Sequence, residues 1–235
     1  MKTYRDEAVV LRSLRYGEAD RILHLQTREH GRVSAITKGV RRTRSRLGGR
    51  LEPLSHVTVH LHPGSGEVQT LTNADLVASF DEIRADPDRL RVALTGAEAV
   101  LRLFPEQEGN ERLFDGFVRF LDVVAHGDEP DDALSIAFVL KLVALAGWAP
   151  QVTSCASCGS SGPLTGYSIT AGGAVCETCG GSALDPAALA ALRELLARPL
   201  GEAATPGEAA VARLRGIASE TVAEHSGARL RTLAP

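Results

Sequence analysis

Short β-prone apolar runs fill the first third of the chain, and from residue 81 the apolar residues take helical spacing. Ala8-Val9-Val10-Leu11 and Ile22 to Thr27 are the first two runs. The turn Glu29-His30-Gly31 leads into a third, Arg32 to Lys38. Val57 to His62 alternates apolar and polar side chains, and Pro63-Gly64-Ser65-Gly66 turns the chain into Glu67 to Thr72. Five short strands with turn signals between them predict a small closed or nearly closed barrel.

The helical part begins at Asp86-Pro87, an N-cap acceptor followed by proline at the first helical position. Leu90, Leu94, Ala97, Leu101 and Phe104 then recur on one face. Asn110 can cap the next helix, whose stripe is Leu113, Phe117, Phe120, Leu121 and Val124. Asp131-Asp132 opens a third helix through Trp148, stopped by Pro150. Asp185-Pro186 starts a fourth with Leu189, Leu192, Leu195 and Leu196, and a last one runs from about Pro206 to Glu224. There is no internal repeat. The expected fold is α+β and multi-domain, with a barrel over 1–80 and a helical domain over 81–235 that carries a cysteine segment, 151–184, as an insertion.

Charge divides at the same place. Residues 1–80 hold 13 Lys/Arg against 8 Asp/Glu, and residues 81–235 hold 13 against 21, which together give the net −3. The positive excess is focused in the connection between the third and fourth strands. Lys38, Arg41, Arg42, Arg44, Arg46 and Arg50 stand within thirteen residues that contain no acid. Such a cluster in a mildly acidic protein suits backbone phosphates, because lysine and arginine binding releases condensed counterions. The barrel has few aromatics, Tyr4 and Tyr16 before Phe80, so base stacking has little to work with and phosphate contacts must dominate. A binder that grips backbone and leaves base edges free favours strand annealing over sequence readout.

All four cysteines form one array: Cys155-x2-Cys158, seventeen residues, then Cys176-x2-Cys179. This is four-thiolate zinc spacing, with Gly159 and Gly180 placed for tight knuckle turns. Four thiolates close the tetrahedron, so the expected ion is one structural zinc with no open position for catalysis. His56, His60 and His62 share a face of the fourth strand and read as outward polar positions opposite Val57, Val59 and Leu61. No phosphate loop or catalytic triad motif stands out, and a non-enzymatic binding protein is expected. The N-terminus lacks a signal-peptide pattern, and the longest apolar run, Ile136 to Trp148, is interrupted by Lys141 and too short to span a bilayer. The expectation is a cytoplasmic protein with no membrane partner.

These features, in this order, resemble the RecO family of bacterial DNA repair proteins. The stretch from Glu7 to Pro53 is similar to that family's oligonucleotide-binding (OB-fold) barrel and its basic loop. Phe138 to Gly159 is similar to its helix leading into the first zinc knuckle, and Cys176 to Cys179 to the second. The resemblance implies a recombination mediator associated with the nucleoid. Such a protein binds single- and double-stranded DNA, anneals complementary strands, and with RecR helps load RecA onto DNA coated with single-strand-binding protein. It implies DNA contacts at Lys38, Arg41, Arg42, Arg44, Arg46 and Arg50, and zinc ligands at Cys155, Cys158, Cys176 and Cys179. It also implies that the helical part takes the acidic C-terminal tail of single-strand-binding protein. Arg112, Arg119 and Lys141 are candidates for the tail, although solvated or helix-pairing charges are the preferred reading of all three. Two other classes fit the residues: an RNA-binding factor of translation or transcription, and a scaffold whose basic loop docks an acidic protein tail.

Overall fold

The computed structural model describes residues 2–41, 47–64, 66–104, 108–128 and 131–233. In chain order the elements are β1 (Tyr4–Tyr16), β2 (Asp20–Thr27), β3 (Arg32–Thr37), β4 (His56–His62), β5 (Gln69–Ala78), α1 (Asp81–Ala85), α2 (Pro87–Leu103), α3 (Glu111–His126), α4 (Asp132–Val143), β6 (Leu164–Ser168), β7 (Gly173–Cys176), β8 (Ser182–Ala183), α5 (Pro186–Ala197) and α6 (Glu208–Ser226). Two compact units result. One comprises Met1–Asp86 with Phe104–Ala125, the other Pro87–Leu103 with His126–Pro235.

The first unit is built on the closed barrel β1-β2-β3-β5-β4. β1 is long enough to serve two neighbours. Its first half pairs with β4 and its second with β2, and a register shift between Val10 and Arg12 bends the strand between them. β3 and β5 close the barrel as a parallel pair through Ala35–Gln69 and Ile36–Thr70. The interior is filled by small and branched residues, among them Ala8, Val10, Leu23, Leu25, Val33, Ala35, Val57, Val59, Leu61 and Leu71. That is what a five-stranded barrel has room for. Val40 and Leu51 come from the β3–β4 connection and plug the same core.

α3 belongs to this unit. The Asn110 side chain accepts the Leu113 N–H at 2.9 Å, which caps the helix. Leu113, Phe114, Phe117, Phe120, Leu121 and Val124 are fully buried. Each such side chain contributes roughly 1.5–3 kcal/mol by leaving water. The segment before α3 approaches the β2–β3 turn backbone to backbone. A Cβ added at Gly109 would fall within the Glu29 carbonyl, and one at Gly31 (φ +67°) within Glu108. Arg28 fixes the other side, with its guanidinium 4.8 Å from the Phe114 ring centroid and 2.7 Å from Asp115.

His56 departs from the expected outward histidine row. It is buried, its ring meets Phe114 edge-on at 5.5 Å, and Nε2 lies 3.0 Å from the Glu7 carboxylate. Strand alternation alone cannot reveal that α3 covers this end of β4. His60 is half-buried and His62 exposed, with Nδ1 3.3 Å from the Thr3 hydroxyl.

In the second unit α4 is central, with nine of its residues buried, from Ala133 to Val143. Asp131 caps it by accepting the Leu134 N–H at 2.9 Å, and the Asp132 carboxylate binds Arg91 of α2 and Arg215 of α6. α2 turns inward a face that shares Ala97 with the expected stripe and otherwise differs from it. Val92, Ala93, Gly96, Ala97 and Val100 are buried, whereas Leu94 is exposed. Small side chains on that face let α2 approach its neighbours closely, and the larger leucines lie beside it. α4 gives way to a wider π-type turn, Ala144–Trp148, and Gly147 at φ +97° releases the chain toward the cysteine segment.

Candidate metal centre and nucleic-acid interface

The three-stranded sheet β7-β6-β8 carries the cysteines. Cys155 and Cys158 lie on the turn that precedes it, Cys176 ends β7, and Cys179 ends the single 3-10 turn that follows. Both knuckles close as the glycines predict. The Gly159 N–H donates to the Cys155 carbonyl at 2.8 Å, and the Gly180 N–H to Glu177 at 3.2 Å, with φ of +75° and +73°. These left-handed values are free for glycine and strained for other residues.

All four Sγ atoms lie within 4.8 Å of one another. Cys158 and Cys176 are 3.8 Å apart, which matches the edge of about 3.8 Å of a tetrahedron with metal–sulfur bonds of about 2.3 Å. Cys155 is buried, and its Sγ accepts the Cys176 N–H at 3.4 Å. N–H groups of Cys158 and Cys176 lower its pKa to about 6. Ser157 pulls Cys179 the other way from its crowded thiol neighbours, and the neighbours win, pushing it up to about 12. Four sulfurs this close cannot all carry negative charge without repulsion, and a thiophilic cation between them would relieve it. The array can therefore hold a metal ion, and among the described residues no other group of His, Cys, Asp and Glu has this geometry.

Sequence reading missed the residues that hold this segment in place. Arg213 of α6 donates from Nε to the Ala183 carbonyl at 2.8 Å and from Nη2 to the Ser182 hydroxyl at 2.6 Å. Arg193 of α5 donates to the Val152 carbonyl at 2.8 Å. Tyr167 of β6 is buried, and desolvation raises its pKa. Helical spacing marks Arg193 and Arg213 only as polar positions, so no sequence signal distinguishes them.

The basic connection leaves β3 on the turn of the β1–β2 hairpin. The Gly39 N–H donates to the Asp20 carboxylate at 2.7 Å, the Arg41 N–H to the Ala19 carbonyl at 2.9 Å, and the Arg41 guanidinium to the Glu18 carbonyl at 3.0 Å. Lys38 and Arg41 are exposed. Arg42, Arg44 and Arg46 lie outside the described residues. Arg50 is engaged by the barrel itself, through the Ala74 carbonyl at 2.8 Å and the Asp75 carboxylate at 3.3 Å.

The three candidates for an acidic tail separate in the same way. Arg119 pairs with Asp122 one turn along α3 at 2.9 Å. Lys141 donates to the Leu196 carbonyl near the end of α5 at 2.9 Å, and burial lowers its pKa. Arg112 is exposed. No helix among the described residues is long and apolar enough to cross a membrane.

Comparison with known proteins agrees with this architecture. The family model described as recombination protein O, N terminal, matches residues 1–80, which contain the barrel. The one described as recombination protein O, C terminal, matches residues 84–234, which contain the helices and the cysteine array. The chain is similar to a protein of Rubrobacter xylanophilus named DNA repair protein RecO, with 41% identity over 234 residues that cover 96% of this chain and 93% of the relative. Barrel, basic loop, helices and cysteine array in this order, matched along nearly the whole chain, place the protein in the RecO family of DNA repair and recombination proteins, with an OB-fold barrel at its N-terminus.

Proposed function

We propose that this protein is a recombination mediator without enzymatic activity of its own, acting in the cytoplasm at the nucleoid. It binds single- and double-stranded DNA and anneals complementary strands. With RecR it helps load RecA onto DNA coated with single-strand-binding protein, whose tail docks on the helical part. The observation that carries this reading is an acid-free basic connection rooted on the hairpin turn of a small barrel in a RecO-family chain. Lys38 and Arg41 stand exposed at its root, and Arg42, Arg44 and Arg46 continue it in sequence. The cysteine array holds one structural zinc ion through Cys155, Cys158, Cys176 and Cys179. The ion supplies cross-linking and no chemistry to DNA. Arg119 and Lys141 already have partners within their own units, which directs the search for the tail site away from both.

The test is annealing of two complementary oligonucleotides coated with single-strand-binding protein, with no nucleotide triphosphate present. The protein accelerates annealing, and the acceleration disappears in the Arg41→Ala, Arg42→Ala, Arg44→Ala triple variant. Affinity for single strands falls with salt at a slope of about −3 to −4 for about five phosphate contacts. A slope near zero overturns the electrostatic reading. A strong preference for RNA over DNA of the same sequence moves the protein to the RNA-binding class.

A further inference from the structure

Trp148 is the one tryptophan of the chain, and it stands 39% exposed at the end of the π-type turn. The fold holds it in place. Gly147, at φ +97°, turns the chain just before it. Three residues further on, the Gln151 N–H donates to the Gly172 carbonyl at 3.0 Å, and the Gln151 carbonyl accepts the Ala174 N–H at 2.8 Å. Gly173 makes that approach possible, since a Cβ there would lie 2.2 Å from the Gln151 carbonyl oxygen. The His225 ring of α6 stacks on the indole at 4.1 Å, with the two planes 2° apart.

These contacts leave a cavity of about 270 Å³ between the π-type turn, β6 and α6. Trp148 and His225 form its ring wall, Tyr167 and Thr221 line it from the buried side, and Gln151 and Ile169 stand at its edge. A second hollow shares Ile169 with the first and is walled by Glu220, Ala223, Glu224 and Arg229. Helical spacing joins the two. Thr221 and His225 are one turn apart on α6, and Glu220 and Glu224, each one residue earlier, are one turn apart beside them. Both carboxylates are exposed, and among the described residues neither pairs with a cation, Arg229 included. Like charges at this spacing repel, and a cation placed between them would relieve the repulsion.

An aromatic wall beside two unpaired carboxylates selects a ligand that is flat, apolar on its faces and positively charged. Guanidinium has that form. It stacks on aromatic faces and donates to carboxylates in a planar fork, whereas an ammonium is a compact, strongly hydrated charge. The cavity falls just below the range of about 300–1,000 Å³ usual for small-molecule sites, so it fits one side chain better than a cofactor. The same carboxylates repel phosphates and acidic peptides, which sets this face apart from DNA and from an acidic tail. We propose that this face of the second unit docks a basic peptide segment of a partner protein. An arginine side chain of that segment enters the ring-walled cavity, and Glu220 and Glu224 hold its charge.

Because the chain has one tryptophan, its emission reports on this site alone. The full-length protein is titrated with a labelled arginine-rich decapeptide, and anisotropy of the label is followed together with Trp148 emission. The peptide is expected to bind saturably and to shift the emission along the same curve, and an all-lysine counterpart to bind about tenfold more weakly. The Glu220→Gln, Glu224→Gln double variant should bind the arginine peptide about tenfold more weakly, and Trp148→Ala should lose a similar factor. Both carboxylates are exposed, so the melting curve of the double variant should overlay that of the parent, and the test stands even where Trp148→Ala perturbs the fold. Binding that leaves Trp148 emission unchanged, or that survives the glutamine substitutions, overturns the proposal. Equal affinity for the two peptides overturns it as well, because the contact is then one of charge alone. So does an emission that changes with protein concentration in the absence of peptide, which makes the occupant a second copy of this chain.

Discussion

The guanidinium of Arg50 donates to the carbonyl oxygen of Ala74 at 2.8 Å, so a member of the basic cluster is bound to the barrel wall. β3 pairs with β5 only at Gln69 and Thr70, and β5 runs on to Ala78. Arg50 meets β5 beyond the point where its parallel partner has ended. Arg50→Ala should therefore lower barrel stability by about 1 kcal/mol, the ordinary net worth of such a bond at a half-exposed site. Arg41→Ala, whose guanidinium sits on an exposed turn carbonyl, should change stability by about 0.5 kcal/mol or less and weaken DNA binding more. Urea unfolding and oligonucleotide titration of the two variants separate the roles.

His56 gives the barrel a pH dependence with a definite sign. Burial lowers its pKa, and the Glu7 carboxylate opposes that shift without overcoming it; Arg28, 3.9 Å from the same Glu7 oxygen, adds to the lowering. The folded state then binds fewer protons at this site than the unfolded state, in which the ring titrates near about 6.5. Stability contributed by the neutral ring is complete above that pH and declines as pH falls through it. Melting temperatures of the parent and of His56→Gln from pH 8 to pH 5 should diverge in slope, with the parent falling more steeply. Parallel curves would show that His56 does not titrate in this range.

The barrel and the cysteine array were legible because each leaves a local signature. Strands need only their own alternation and turns, and Cys-x2-Cys pairs with following glycines declare both the thiol cluster and its knuckles. The stripe of α3 was legible in the same way, from Leu113 to Val124. What that stripe packs against was not, and so His56 read as an outward residue. In α2 the inward face is small, and reading the largest side chains as the core selected Leu90 and Leu94 in place of Val92, Gly96 and Val100. The basic cluster was legible as charge. Its division between Arg50, tied to β5, and Lys38 and Arg41, which stand exposed, depends on partners distant in sequence.

Gly109 tests the backbone contact that brings the segment before α3 onto the β2–β3 turn. An added methyl group there overlaps the Glu29 carbonyl, which has no flexible end to move aside. Gly109→Ala should cost about 1–3 kcal/mol, the range for overpacking against a fixed neighbour. Gly116→Ala, in the same helix-bearing segment with open space around its Cα, should be neutral or slightly stabilising. Chemical denaturation of the pair reads the difference directly, and equal midpoints would place the contact elsewhere.

Cys155 is the cysteine most deeply set in the array, buried and bonded through sulfur to the Cys176 N–H. Cys155→Ser should remove the metal and cost several kcal/mol of local stability, because ion binding and folding of this segment are coupled. The loss should spread along identifiable contacts, from β8 through Ser182 and Ala183 to Arg213 of α6, and from Val152 to Arg193 of α5. Hydrogen exchange should therefore quicken in residues 151–184 and at the facing sides of α5 and α6, while β1–β5 keep their protection. Metal analysis of the parent should give one zinc ion per chain. A parent protein free of metal, or a Cys155→Ser variant that exchanges like the parent, would remove the ion from the account of how this segment is held.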